Sequence, residues 1–323
     1  LGNVIAPEDI LKKYGADILR VWVTASDYSE DLRIDYSILE QHAEAYRKIR
    51  NTFRYLLGNL NDSYSEENIE NLNIDKLPAL EKYMLHKLFE LNKNFMKNFE
   101  TYNFHTLYKD LLNFCTVDLS SFYFDIRKDT LYCDHISSHV RKSCIFTLEM
   151  IFERLVKWFA PILPFTMEEV WMQRQKENLN TSVHLDDFPK TPNEWTNIEL
   201  EEKWNRIRDI RSYVTLAIEK ERQNKNIRSS LEASPVLKLK DKDLFKILSS
   251  VDFSEVCITS SINIEINEDL QLEEALSSDE DIEVSIFKAE GEKCNRCWKY
   301  TNSYNHYKNK IICKRCNEVL DNS

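Results

Sequence analysis

Glycine is nearly absent. The 323 residues hold four, Gly2, Gly15, Gly58 and Gly291, where ordinary usage of ~7% would give roughly 23. Phosphate-cradling loops need several glycines close together, because the backbone must take positive φ and approach the phosphate closely. Neither a dinucleotide fingerprint nor a P-loop is encoded, which excludes a nucleotide-binding core of those kinds from this chain. Long apolar runs are also missing. None approaches the ~18 residues of a membrane span, and Glu8 and Asp9 stand where a signal segment would be basic and then apolar. The expectation is a soluble, unsecreted, cytoplasmic chain with no membrane partner. No nucleophile–base–acid set stands out either: His42, His86, His105, His135, His139 and His184 occur singly among helical patterns. The sequence is already in mid-pattern at Leu1, which suggests a piece of a longer protein.

Bases are outnumbered, 43 Lys plus Arg against 54 Asp plus Glu, for a net charge of −11. An acidic total argues against a bulk nucleic-acid binder. The imbalance is local, however: residues 252–286 hold eleven acids and no base, whereas 287–323 hold eight bases and four acids. Local basic faces on a neutral background can still grip a polyanion.

Helical periodicity dominates the first two-thirds of the chain. Pro7, Glu8 and Asp9 suit a first helical turn that Gly15 ends, and a second helix runs roughly from Ala16 to Ser26. Ser37 and Glu40 read as a capping box for a helix over 38–60, whose apolar stripe is Ala43, Tyr46, Ile49, Phe53, Leu56 and Leu60. A polar loop at 61–76 leads to helical patterns at 78–100, 103–124 and 138–160. Pro161 and Pro164 then break the chain, and Thr166 with Glu169 caps a short helix ending near Trp171. Trp158, Phe159, Phe165 and Trp171 read as core. These segments predict an antiparallel helix bundle. One more amphipathic helix follows over 199–225. The period then changes to short strand-like runs at Val236–Leu239, Val256–Ile258, Ile262–Ile266 and Ile282–Ile286, with a helix at 241–250. The fold class is therefore mainly α, a bundle followed by a small α/β module and a cysteine-rich tail.

Cys294, Cys297, Cys313 and Cys316 form two CxxC knuckles with fifteen residues between them. Such knuckles place four thiolates at the corners of a tetrahedron around Zn²⁺, and four protein ligands close the coordination sphere, so the expected zinc is single and structural. The competing reading is a pair of disulfides or redox motifs. Cys115, Cys133, Cys144 and Cys257 lie scattered in apolar patterns and read as buried free thiols of a reducing compartment. A second constellation is the helical face Arg47, Arg50, Asn51 and Arg54. A third is the stretch containing Arg206, Arg208, Arg211 and Arg228, which leads into Ser229. Arg/Lys faces with nearby Asn and Ser donors match phosphate and base contacts to RNA, while a solvated helix face is the bland alternative. Asp17 with Arg20, or Arg206 with Asp209, would equally make surface ion pairs.

Several blocks resemble the isoleucyl-tRNA synthetase family of class I aminoacyl-tRNA synthetases. Leu1-Gly2-Asn3-Val4-Ile5 is similar to the segment that follows the KMSKS signature. Further blocks are Lys13-Tyr14-Gly15-Ala16-Asp17-Ile18-Leu19-Arg20, Asp27-Tyr28-Ser29-Glu30-Asp31, Ala43 through Thr52, Ala160 through Thr166, Arg228 through Ala233, and Cys294 through Trp298. The resemblance implies that residues 1–36 end the catalytic region and form its stem-contact element. It further implies a helical anticodon-binding domain over 37–190, a C-terminal junction over 191–286 and a zinc module over 287–323. It implies isoleucine tRNA as partner, with contacts from the basic faces named above and from Arg296, Trp298, Lys314 and Arg315. ATP and Mg²⁺ would serve only a longer, monomeric parent enzyme whose Rossmann core, HIGH-type motif, KMSKS lysines and editing domain would precede Leu1; the present chain would be inactive. The valine, leucine and methionine synthetases are near competitors, and the four-cysteine tail favours isoleucine. Rivals of other classes are a DNA-binding zinc-finger protein of glycosylase type and a helical protein scaffold with a zinc clip.

Overall fold

The computed structural model describes residues 5–60, 74–175, 181–267 and 282–321. Leu1 to Val4 of the first block, most of the expected loop at 61–76 and much of the acidic run lie outside these residues. Two compact units emerge. One comprises Leu1–Phe124 with His139–Asn197, the other Asp125–Ser138 with Ile198–Ser323. No helix among the described residues is long and apolar enough to cross a membrane.

The first unit is helical. Helix α1 (Pro7–Tyr14) starts on a proline, which needs no N–H partner there, and carries acids in its first turn and lysines in its last. Gly15 ends it at φ 83°, where a side chain would be strained. Helices α2 (Ala16–Ala25) and α3 (Tyr36–Leu60) follow. The expected Ser37/Glu40 box is not what opens α3. Asp35 Oδ1 accepts the Ile38 N–H at 2.8 Å and the Ser37 hydroxyl at 2.7 Å, and these bonds hold the Asp35 carboxyl below its ordinary range. Helix α4 (Ala79–Glu100) leads to α5 (Phe104–Asn113), which runs through π-type turns over Phe114–Tyr123 into α6 (Phe124–Cys133), a helix that from Asp125 on belongs to the second unit. Within that wider run Thr116 donates back to the Leu112 carbonyl of α5 and Ser121 to the Thr116 carbonyl. Helices α7 (His139–Phe159) and α8 (Pro164–Arg174) complete the unit.

Aromatic rings fill its core. Phe53 of α3 stands edge-on to Phe152 and Phe159 of α7, with centroids 6.3 and 6.0 Å away, and Phe95 of α4 stacks on the fully buried Trp158 at 5.5 Å. Each such pair adds roughly 0.5–1.5 kcal/mol to simple burial. Phe165 departs from the expected core set: as the second residue of α8 it points outward and is 69% exposed.

The start of α8 also differs from expectation. Thr166 is its third residue, not its cap, and the cap comes from α2. Asp17 Oδ2 accepts the Thr166 N–H at 2.9 Å and the Thr166 hydroxyl at 2.5 Å, and that hydroxyl also meets the Tyr46 hydroxyl at 3.0 Å. A buried carboxylate at a helix N-terminus satisfies an orphan donor and faces the positive end of the dipole. Arg20, one turn along α2, donates to the carbonyls of Ile162 and Pro161. The two residues expected to pair with each other on the surface thus bind opposite sides of the turn into α8.

In the second unit α9 (Ile198–Gln223) packs against a three-stranded sheet of order β2–β1–β3. Strand β1 (Ala233–Leu239) runs parallel to β2 (Asn263–Ile266) and antiparallel to β3 (Ile282–Lys288). Its alternating burial places Ala233, Leu237 and Leu239 inward. Helix α10 (Lys242–Ser249) is capped by Asp241, whose Oδ1 accepts two backbone N–H groups. The expected strand at Val256–Ile258 is instead the end of α11 (Phe253–Cys257), capped by Asp252 and closed by Ile258 in the left-handed region at φ 57°. Asp252 stands three residues before Glu255, whose N–H it accepts at 3.1 Å, and this local cap outcompetes β-branched propensity.

Replacing Asp17 by alanine leaves the buried Thr166 N–H and hydroxyl without that acceptor. The expected outcome is a loss of about 2 kcal/mol in unfolding free energy, read by urea denaturation followed at the helical signal.

Candidate metal centre and candidate nucleic-acid faces

The tail is built around four sulfurs. Strands β4 (Glu292–Lys293) and β5 (Tyr300–Thr301) bracket the first knuckle, and β6 (Tyr304–Tyr307) and β7 (Lys310–Cys313) lead into α12 (Lys314–Asp321), the second knuckle joining Cys313 at the end of β7 to Cys316 in α12. The β4–β5 pair closes tightly at Gly291, φ 90°, where a Cβ would stand 2.3 Å from the Thr301 carbonyl oxygen. The β6–β7 turn uses Lys308 and Asn309, both at positive φ, as a two-residue hairpin of this kind requires.

The four Sγ atoms of Cys294, Cys297, Cys313 and Cys316 lie within 4.8 Å of one another. Tetrahedral zinc with Zn–S bonds of ~2.3 Å sets its sulfurs about 3.8 Å apart, and Cys297 and Cys313 stand at 3.7 Å. That separation is far beyond a disulfide bond of ~2.05 Å, and all eight cysteines are free thiols. Backbone donors already point at the sulfurs: the Cys313 N–H reaches Cys294 Sγ at 3.3 Å and the Cys316 N–H reaches Cys313 Sγ at 3.5 Å. Burial pushes the Cys294 thiol up, yet N–H groups of Cys313, Cys297 and Arg296 outweigh it and bring it down to about 6. The donor set and spacing fit a soft divalent ion.

Two cations of the tail turn inward. Arg296, between the two cysteines of the first knuckle, donates to the Cys133 carbonyl and, at 3.5 Å, to the Tyr132 carbonyl, the last acceptors of α6. Arg315 makes a two-pronged contact with Asp129 at 2.6 and 2.8 Å and reaches Asp134 at 3.3 Å. Burial works against the Asp129 charge, but Arg315 prevails and holds that carboxyl below its ordinary range. Both guanidinium groups, expected on an RNA face, are therefore occupied within the protein. Lys314 is exposed, and so is Trp298, at 61%. The indole sits at positive φ with Lys293 Nζ 5.9 Å from the ring centre, and its rim opens on a cavity of about 480 Å³ shared with Ile126, Tyr132, Leu231 and Ile258.

The other basic residues divide similarly. On α3, Arg50, Asn51 and Arg54 are exposed along a cleft of about 580 Å³, whose opposite wall is Thr166, Glu169 and Gln173 of α8. Neither Arg50 nor Arg54 has a hydrogen bond or ion pair among the described residues. Arg47, one turn earlier, is exposed and pairs with Glu44. Arg211 is held inside its unit: it donates to the Val256 carbonyl at 2.8 Å and lies 3.9 Å from Asp125, while burial lowers its pKa. Arg208 is half-buried beside it, and Arg206 pairs with Asp241 at 2.8 Å rather than with Asp209. Arg228 is exposed next to half-buried Ser229. Nothing in the sequence near Thr166 signals that it would share a cleft with Arg50; the α3–α8 packing makes that pairing.

The family described as the anticodon-binding domain of tRNA ligase matches residues 81–237. The family of class I tRNA synthetases for I, L, M and V matches residues 1–35. Both descriptions are of tRNA ligases, the second of class I. The isoleucine–tRNA ligase of Pelagibacter ubique is 56% identical over 98% of the chain, that of Agrobacterium fabrum 46% over 93%, and that of Ruegeria pomeroyi 42% over 99%. The chain belongs to the isoleucine–tRNA ligase family. It spans about a third of the length of these relatives, 32%, 30% and 33% respectively. A solved LeuRS–tRNA complex of Agrobacterium radiobacter overlays 61% of this chain and 22% of its own, at TM-score 0.46 and 16% identity.

Substituting Asp129 by asparagine should free Arg315 from its two-pronged partner. Amide hydrogen exchange over residues 314–321 is expected to quicken about tenfold, as befits a half-exposed charged hydrogen bond.

Proposed function

We propose that this chain is the tRNA-binding C-terminal part of an isoleucine–tRNA ligase. Its substrate partner is isoleucine tRNA, gripped on the anticodon side. The observation that carries this reading is the exposed Arg50–Asn51–Arg54 edge of the α3–α8 cleft, which offers unpaired guanidinium groups within a chain that matches an anticodon-binding family. Guanidinium groups suit phosphate because their planar fork donates two parallel hydrogen bonds, and each phosphate contact releases condensed counterions. Arg47, Arg228, Ser229 and Lys314 supply further contacts. Arg208, Arg211, Arg296 and Arg315 act beneath the surface, shaping it. The segment 37–190 would be the anticodon-binding domain, with 1–36 as the stem-contact element, 191–286 as the junction and 287–323 as the zinc module.

Aminoacylation requires ATP and Mg²⁺ at a catalytic core. The HIGH-type motif and KMSKS lysines of such a core do not occur in this sequence, so the chain should not form isoleucyl-adenylate by itself. Four cysteines hold one zinc ion, which supplies structure and no reactive position, because all four corners are protein sulfur. The indole of Trp298 stacks an unpaired base: its exposure of 61% fits a platform better than a lid over the sulfurs.

Isoleucine tRNA, a second tRNA and duplex DNA, titrated against the chain at several salt concentrations, test this directly. The expected order places isoleucine tRNA first, with affinity falling as salt rises; equal binding of duplex DNA would favour the glycosylase-like alternative. Arg50→Glu should weaken tRNA binding and flatten the salt slope with helix content unchanged. Trp298→Ala should weaken it about tenfold, Trp298→Phe should restore part, and metal content should stay the same in both. Metal analysis should give one equivalent of zinc, and chelation should speed amide exchange over 290–321 while α3, α4 and α7 stay protected.

A further inference from the structure

We propose that the cavity of about 480 Å³ beside the first knuckle is a pocket for one unstacked base of the anticodon loop, with Tyr132 of α6 as the second ring that holds it. Such a pocket rests on the reading of Trp298 as a stacking platform and names where the base goes. All of its lining residues belong to the second unit. Two of them are exposed rings, Tyr132 at 59% and Trp298 at 61%. The apolar lining is Ile126 of α6, Leu231 in the turn before β1 and Ile258 just after α11.

Neither ring is explained by core packing, because side chains more than half exposed add little to a core. Yet the Trp298 backbone stands in the left-handed region at φ 66°, where its N–H donates to the Cys294 carbonyl at 2.9 Å. Glycine would take that conformation without strain. Ile258, a β-branched residue for which positive φ is rarer still, stands at 57° on the same cavity. Two bulky residues in a strained conformation thus share one hollow, a pattern found where a ligand is clamped.

The segments that carry the rings are tied together. Arg296, two residues before Trp298, donates to the Tyr132 and Cys133 carbonyls. Lys299, directly after Trp298, lies 4.0 Å from Asp129, one turn before Tyr132. A site fixed in this way loses little freedom when it is filled. An occupant must be flat to use two rings and apolar on its faces to cover Ile126 and Leu231. An unpaired base meets both demands, and stacking accepts any base because each has a π-face. Lys293 is exposed, with Nζ 5.9 Å from the indole centre and no hydrogen bond or ion pair among the described residues, which suits the phosphate of that nucleotide.

The test measures binding of the whole 323-residue chain to isoleucine tRNA, made either with intact anticodon-loop bases or with abasic nucleotides in that loop. On intact tRNA, Tyr132→Ala should weaken binding about tenfold and Tyr132→Phe should restore most of it. Tyr132→Leu, which keeps apolar cover on α6 but has no π-face, should lose nearly as much as alanine. Tyr132→Ala/Trp298→Ala should lose about thirtyfold, short of the roughly hundredfold of two independent contacts, because both rings hold one base. On abasic tRNA, Tyr132→Leu and wild type should bind alike, an outcome that a merely structural tyrosine would not give. The pocket is overturned if both Tyr132→Ala and Tyr132→Leu bind intact tRNA as wild type does, if the Tyr132→Leu loss persists on abasic tRNA, or if the losses multiply in the double variant. Neutral Tyr132 variants beside a weakened Trp298→Ala would leave the platform reading standing without the pocket, and a neutral Trp298→Ala as well would remove that reading too.

Discussion

The convergence of four sulfurs is the constraint on which the C-terminal tail depends. Residues 290–321 offer few large apolar side chains to bury, while β7 ends on Cys313 and α12 carries Cys316 in its first turn. Conformational entropy of about 1–2 kcal/mol per residue opposes ordering such a segment. The sulfurs, with Ile312, Tyr307 and Leu320 around them, are what the knuckles and hairpins close upon. Arg296 extends that order beyond the tail. Because it stands between Cys294 and Cys297 and also terminates α6, the geometry of the knuckle and the last turn of a helix 163 residues away are set together.

A comparable long-range bond organises the bundle. Asp17 supplies the N-terminal acceptor that α8 lacks in its own sequence, and Arg20 takes the carbonyls on the other side of the same turn. The wall of the cleft facing Arg50 and Arg54 is therefore placed by α2, an element matched by a different family from the one that covers α8. Part of the candidate RNA face is thus set up by a segment that contributes no residue to it.

Much of this was legible in the residues. Helical periodicity gave α3, α4, α7 and α9 to within a few positions, and the CxxC spacing gave the sulfur cluster outright, since a two-residue gap leaves a tight turn little choice of geometry. What stayed hidden depended on partners far along the chain. Local pattern made Thr166 its own cap and Val256–Ile258 a strand, yet Asp17 lies 149 residues from Thr166, and Asp252 turned the Val256 segment into a helix. The basic residues show the same limit. Arg50 and Arg296 are chemically alike in the sequence, and only packing shows that one faces solvent while the other closes a helix end.

Trp298 has an optical consequence. The buried indoles of Trp158, Trp171, Trp195 and Trp204 are 0%, 7%, 4% and 2% exposed, and Trp22 is partly covered, whereas Trp298 stands 61% open beside the first knuckle. A water-soluble collisional quencher therefore acts first on this ring. The quenchable share of the protein's natural fluorescence belongs chiefly to one residue, so the cysteine-rich tail carries its own intrinsic reporter and can be watched in the intact chain without any attached dye.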